Sequence, residues 1–156
     1  MSSIRIVIAE DDPGLRELAR EQLACVPDFQ VAAEACDGLE AIADVARLDP
    51  DILILDLDLP GIDGFEVLRL VRWFNPNTRV IIRSGHDEEE IIQQTLELGA
   101  RGYIVKGERT SLEKVIRAVE RGEVWARRRV LAQALDHLIG LAGSILQATE
   151  GEPAPA

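Results

Sequence analysis

Short apolar runs alternate with segments of helical periodicity along residues 4–122, and this alternation constrains the fold more than any other feature. One run, Ile52–Asp56, lies between Asp49-Pro50 and Pro60-Gly61, so turn-forming residues bound it on both sides. We expect strands at residues 5–9, 30–34, 52–56, 79–83 and 102–105. Strands that alternate with helices are typical of a parallel sheet covered by helices on both faces. The sequence therefore predicts an α/β domain.

Residues that favour helix ends lie between these runs. Asp12-Pro13 predicts a helix start, so we interpret Asp12 as an N-cap rather than a metal ligand. Ser111 is the expected N-cap of the fifth helix, and Gly122 lies just behind the end of that helix. The acidic residues 87–90 suit the start of the fourth helix. These signals place the first domain at residues 1–122.

Charge and composition exclude several classes of protein. The 28 acidic and 17 basic residues give a formal net charge of −11, which argues against direct nucleic-acid binding by this stretch. Two cysteines, Cys25 and Cys36, make no disulfide framework, and we expect reduced, partly buried thiols. With no signal peptide and no apparent apolar run of membrane length, we expect a soluble cytoplasmic protein without membrane contact.

Polar side chains follow four of the five predicted strands. Glu10 and Asp11 follow the first, Asp56 ends the third, Ser84 follows the fourth and Lys106 the fifth. Because parallel strands end at the same rim of a sheet, these side chains should meet there. They form a set for phosphoryl transfer to a carboxylate: Asp56 as the nucleophile, with Lys106 and Ser84 on the phosphoryl oxygens.

A cluster of carboxylates at one rim indicates a divalent cation, because like charges so close disfavour one another. Mg²⁺ prefers oxygen ligands and keeps several waters, which suits a small acidic set. We expect Asp11 and Asp56 to hold it directly and Glu10 to act through water. A backbone carbonyl in the following loop should complete the set. For Asp58 the carbonyl is therefore the better candidate than the side chain.

The residues at these strand ends resemble the receiver domain of bacterial two-component response regulators along residues 4–122. The stretches that carry the resemblance are Val7–Pro13, Ile54–Gly64, Arg83–His86 and Gly99–Lys106. The resemblance implies a doubly wound five-stranded sheet of order 2-1-3-4-5, with Mg²⁺ as cofactor and a sensor histidine kinase as partner. It further implies that Asp56 is the phosphoacceptor, that Glu10 and Asp11 are the acid pair, and that Ser84, Tyr103 and Lys106 are the switch residues.

The sequence of Gly99–Tyr103, followed by that of Ala118–Trp125, is similar to the corresponding segments of the NarL/FixJ class. In that class a receiver is followed by a linker and a DNA-binding helix-turn-helix. The resemblance implies a transcriptional output through a C-terminal domain missing from this chain, with no DNA contact by the receiver. Two residues depart from the pattern: Gly107 replaces a common proline after the lysine, and Arg83 places a charge on a strand expected to be buried.

Residues 123–149 follow a different pattern and form the predicted helical extension. An apolar stripe with spacings of four, three, four and three contains Leu131, Leu135, Leu138, Ala142 and Ile145. A stripe of this kind packs on another helix, so we expect a homodimer through residues 127–148. The alternative is a helix folded against its own domain. Residues 150–156 have the composition of a flexible linker.

Two further hypotheses use the same residues. A stand-alone receiver would signal by protein contact without DNA. Asp56-Leu57-Asp58 also resembles the Asp-x-Asp motif of haloacid-dehalogenase-type phosphohydrolases, but there the motif closes the first strand of the domain. We therefore expect a phosphoacceptor signalling domain rather than an enzyme. We interpret His86 as a rim residue and His137 as structural or solvated.

Overall fold

The structure, a computed structural model, describes residues 3–150. Its five strands all pair in parallel, in the order β2-β1-β3-β4-β5. The strands are β1 Ile4–Ala9, β2 Phe29–Ala35, β3 Ile52–Leu55, β4 Arg79–Ser84 and β5 Gly102–Val105. The helices are α1 Pro13–Ala24, α2 Gly38–Leu48, α3 Gly64–Phe74, α4 Glu89–Glu97, α5 Leu112–Glu120 and α6 Arg128–Glu150. The predicted fold class and strand order are confirmed.

Side-chain caps explain where most of the helices begin. The Asp12 carboxylate accepts hydrogen bonds from the backbone N–H groups of Gly14 and Leu15, which confirms its role as the N-cap of α1. Ser111 caps α5 in the same way, through the N–H of Lys114. Helix α4 differs, because Glu88 at its N-cap position makes no side-chain hydrogen bond. The start of α4 is therefore held by fewer local bonds than the other capped helices.

Each strand contributes alternate side chains to two apolar layers. In β1, Val7 faces the layer formed with α2, α3 and α4, whereas Ile6 and Ile8 face the layer formed with α1 and α5. The four residues of β3 are all buried. Since β3 is covered on both faces, its continuous apolar run follows directly from its central place in the sheet.

After α5 the chain returns along the free edge of β5. The backbone N–H of Tyr103 donates to the Trp125 carbonyl at 2.8 Å, and the N–H of Trp125 donates to the Arg101 carbonyl at 2.9 Å. This short pairing leads directly into α6 and covers part of an edge that would otherwise expose unpaired backbone groups.

The first half of α6 packs on α4 of its own domain. Val130 and Ala134 are buried in this contact, Arg129 pairs with Glu89 at 3.6 Å, and His137 contacts Glu97. The alternative of a helix folded against its own domain thus holds for this half. Pairing with a second copy through 127–148 stays a prediction. Glu150 ends the helix rather than starting a linker, and residues 151–156 of the predicted linker lie outside the described residues.

Two expectations drawn from composition are wrong. Both Cys25 and Cys36 are exposed rather than partly buried. Helix α6 has the length and apolar composition of a membrane span, contrary to the absence of such a run expected from the sequence. This is a weak signal, because Asp136 and His137 lie within the helix and its first half packs on protein.

Candidate functional site

The sheet ladder brings the polar strand ends together at one rim. The N–H of Asp56 donates to the Ala9 carbonyl at 3.0 Å, which places Asp56 directly beside the end of β1 and therefore beside Glu10. The N–H of Lys106 donates to the Ser84 carbonyl at 2.7 Å, so the ends of β4 and β5 are joined in the same way. This rim lies where neighbouring crossovers leave β1 and β3 in opposite directions, the usual position of a site in an open α/β sheet.

Three carboxylates converge there. Glu10, Asp11 and Asp56 each offer an oxygen, and these oxygens all lie within 4.8 Å of one another. Glu10 and Asp56 are each only 3% exposed, whereas Asp11 faces solvent. The donors are all oxygens and one side of the group is open, which fits a hard, partly hydrated cation such as Mg²⁺. The structure thus brings the three predicted acidic residues together in one cluster.

Lys106 supplies the positive charge in this group. Its Nζ lies 2.7 Å from Glu10 Oε1 and 2.9 Å from Asp56 Oδ2. Burial opposes the charge on Lys106, but the hydrogen bonds to both carboxylates outweigh it, so the pKa of Lys106 is raised. The lysine therefore stays charged and links the ends of three strands.

The pKa values of the two buried carboxylates shift in opposite directions. Burial, followed by the hydrogen bond with Asp56, raises the pKa of Glu10 to about 7. Burial acts in the same direction on Asp56, but hydrogen bonds from Glu10 and Lys106 more than offset it and lower the pKa of Asp56. Near neutral pH this arrangement favours the ionised form of Asp56, while Glu10 is partly protonated.

The Asp58 side chain points away from the cluster. Its backbone N–H donates to Asp56 Oδ1 at 3.1 Å, while its carboxylate, 65% exposed, lies 2.9 Å from His86 Nε2. This contact raises the pKa of His86. The sequence predicted a rim position for His86 but gave no signal for a bridge between the β3–α3 and β4–α4 loops.

Ser84 and Tyr103 are connected through the backbone of His86. The buried Ser84 hydroxyl accepts from the His86 N–H at 3.2 Å, and the Tyr103 hydroxyl donates to the His86 carbonyl at 2.6 Å. Tyr103 lies inward, and burial raises its pKa to about 12. The two predicted switch residues therefore hold one loop from opposite sides.

Two glycines shape the loops around Asp56 and Lys106. A Cβ on Gly64 would lie 2.4 Å from the Asp56 carbonyl oxygen, so only glycine allows α3 to start so close to Asp56. Gly107 has φ +93°, a conformation that proline cannot adopt because its ring holds φ near about −65°. Gly107 therefore gives the backbone after Lys106 a conformation that a proline at this position could not adopt.

This fold and acidic rim define a receiver-type phosphoacceptor architecture, and the comparisons agree. Residues 6–119 match the response regulator receiver domain, and the chain belongs to that family. It is similar to the NarL transcriptional regulatory protein of Mycobacterium tuberculosis, 36% identical over 145 residues that cover 92% of this chain and 64% of that protein. The nitrate/nitrite response regulator NarL of Escherichia coli K12 is 34% identical, over 83% of this chain and 58% of that protein.

Solved structures show the same similarity. The signal receiver domain of NarL from Mycobacterium tuberculosis superposes with a TM-score of 0.74 at 33% identity, covering 79% of this chain and 100% of that one. A LuxR-family response regulator from Aurantimonas gives a TM-score of 0.78 at 29% identity, covering 88% and 99%. The chain spans less than two thirds of the length of the curated NarL relatives.

Proposed function

We propose that Asp56 accepts a phosphoryl group from the phosphohistidine of a sensor histidine kinase. The observation that carries this proposal is a buried Asp56, its pKa lowered, held by Lys106 beside the carboxylates of Glu10 and Asp11. An Asp56 carboxylate oxygen forms a bond to phosphorus as the bond from phosphorus to the imidazole nitrogen breaks. The leaving imidazole takes a proton from solvent, and the product is an acyl phosphate.

The other rim residues position and neutralise the transferred group. Asp11, Asp56 and Glu10 would hold Mg²⁺, with the Asp58 carbonyl as a further ligand, and the ion would neutralise charge on the phosphoryl oxygens. Lys106 can exchange its contact with Asp56 for a phosphoryl oxygen, and the Ser84 hydroxyl can donate to another.

This exchange of hydrogen-bond partners on phosphorylation also provides a conformational switch. If Ser84 turns towards the phosphoryl group, it gives up the hydrogen bond that it now accepts from His86. Tyr103 holds the next backbone group of the same loop, so a change at Ser84 alters the packing between β5 and the start of α4. The extent of the shift is limited by how differently Ser84 and Lys106 bind in the two states.

We infer that the output is transcription through a C-terminal DNA-binding domain and that the protein acts in the cytoplasm as a homodimer. The longer NarL relatives are named as a transcriptional regulatory protein and a response regulator, which supports this output. A methylesterase from Geobacter sulfurreducens is also 35% identical over 116 residues, 31% of its length. Receivers thus occur beside different outputs, and we propose that this one signals without catalytic turnover of its own.

The test is phosphoryl uptake from a small phosphodonor, such as acetyl phosphate, with Mg²⁺. Intact mass should rise by one phosphoryl group in wild type and not in Asp56→Asn, while Asp58→Asn, whose carboxylate points elsewhere, should still be modified. Equal labelling of Asp56→Asn would contradict the assignment. Sustained hydrolysis of a phosphomonoester would instead favour the phosphohydrolase hypothesis.

A further inference from the structure

Helix α6 extends well beyond the helix that supports it. Arg129 pairs with Glu89 and His137 with Glu97, so α6 and α4 run in the same direction with matching steps of eight residues. Helix α4 ends at Glu97, whereas α6 continues to Glu150. The 13 residues from 138 to 150 therefore extend past α4 by about 20 Å at 1.5 Å per residue. We call this segment the overhang.

The overhang is apolar and almost uncharged. Residues 138–149 contain no Asp, Glu, Lys or Arg, in a chain whose net charge is −11. The large side chains on its outer face and just before it are 44–66% exposed: Leu135, Leu138, Ile139, Ile145 and Leu146. A helix of this length is marginal in water without a packing partner. The overhang therefore needs a largely apolar surface to cover it.

A groove beside the first half of α6 offers such a surface. It has a volume of about 390 Å³ and is lined by apolar side chains that include Ala100, Val124 and Leu135. Arg72 and Arg101 also line it, and neither forms an ion pair with any residue between 3 and 150. The groove thus combines an apolar floor with two arginines that form no ion pair within residues 3–150.

We propose that two copies of the chain pair antiparallel through α6, so that the overhang of each fills the groove of the other. Around a two-fold axis at Ala142, Leu138 faces Leu146 of the second copy and Ile139 faces Ile145, since each pair is equidistant from residue 142. This inference rests on the homodimer proposed above and specifies its surface. The contact is self-complementary, as a closed two-fold dimer requires.

Charge favours this direction over a parallel pair. In the antiparallel arrangement Glu150, the one acidic residue of the overhang, comes opposite Ala134, where Arg72 and Arg101 line the groove. A parallel pair would leave both grooves open and place two acidic domains at the same end. The antiparallel pair places the two acidic domains at opposite ends of the paired helices. A separation beyond the screening length of about 8 Å removes most of that repulsion.

Sedimentation velocity of the full chain at tens of micromolar tests the surface. Ile145→Glu should weaken the dimer by about tenfold or more, whereas Gln147→Glu, which adds the same charge off the apolar stripe, should leave it near wild type. Ile145→Glu should still take up a phosphoryl group at Asp56, so failure of the dimer proposal can be distinguished from failure of the proposed function. A monomeric wild type, or equal effects of the two variants, would overturn the proposal, as would a monomer that pellets with phosphatidylcholine vesicles.

Disulfide trapping tests the direction. In a background with both exposed cysteines removed (Cys25→Ser, Cys36→Ser), Leu135→Cys and Thr149→Cys should cross-link readily when the two proteins are mixed and poorly when each is alone. Residues 135 and 149 lie at equal distances from 142, so only the antiparallel pair brings them together. Efficient cross-linking of each variant with itself would show a parallel pair and refute the proposed contact.

Discussion

Replacement of Lys106 with methionine should destabilise the metal-free protein in a way that depends on pH. Methionine keeps the length of the side chain but removes the charge that lies 2.7 Å from Glu10 and 2.9 Å from Asp56. Removal of one partner from a buried ion pair costs about 3–5 kcal/mol. Glu10 is already partly protonated near neutral pH, and the side chain of Lys106 remains 21% exposed. We therefore expect a loss nearer about 2 kcal/mol at pH 8.

The sign of the pH dependence follows from Glu10. Burial and Asp56 raise its folded pKa to about 7, and Lys106 opposes that rise. Without the lysine the pKa of Glu10 should rise further. A carboxyl whose pKa rises on folding contributes stability that is fully present below its unfolded value of 4.5. That stability is lost as the pH increases through the folded pKa. The deficit of Lys106→Met should therefore be smaller at pH 5.5 than at pH 8.

Urea unfolding followed by circular dichroism at both pH values measures this difference. A loss of about 2 kcal/mol moves the midpoint down by about 1 M urea, since the slope for a domain of this size is about 2 kcal/mol per molar. Lys114→Met is a matched control, because Lys114 is the only other lysine and is exposed. Its midpoint should stay within about 0.3 M of wild type. An equal loss at both pH values, or a loss no larger than the control, would refute the electrostatic account.

Three further predictions concern the other residues of the rim. Asp11→Ala should lower Mg²⁺ affinity, measured by calorimetry, by about tenfold or more, while the melting temperature of the metal-free protein stays equal or rises because carboxylate repulsion is relieved. Ser84→Ala should still be phosphorylated, but amide shifts in α4 and β5 should change less than in wild type; a full response would remove its switching role. Tyr103→Phe should cost about 0.5–1.5 kcal/mol in urea unfolding through the lost bond to His86, and an unchanged midpoint would show that this bond is not stabilising.

The strand-end residues show how far local patterns carry the prediction. Asp56, Ser84 and Lys106 are distant in sequence, but each follows an apolar run, and parallel pairing brings such ends to one rim. Asp12 and Ser111 were identifiable as caps because capping depends on neighbours within three residues. Polarity at these positions was therefore sufficient to assemble the predicted site before any distance was known.

The contact between His86 and Asp58 could not be predicted in the same way. Two exposed side chains on different loops meet only because β3 and β4 are adjacent, and the loop paths that join them have no periodic signal. The glycine at position 107 is similar: its identity showed a departure from proline, but only the backbone φ of +93° showed what the departure does.

Helix α6 shows most clearly what the sequence predicts and what only the tertiary structure determines. The sequence by itself determined that residues 127–148 form an amphipathic helix in need of a partner, because helical periodicity is a local property. It could not determine the partner, since the predicted stripe contains Leu138 but not Val130. The tertiary structure decided that Val130 packs on α4 while Leu138 remains half exposed, because α4 ends at Glu97 and α6 does not.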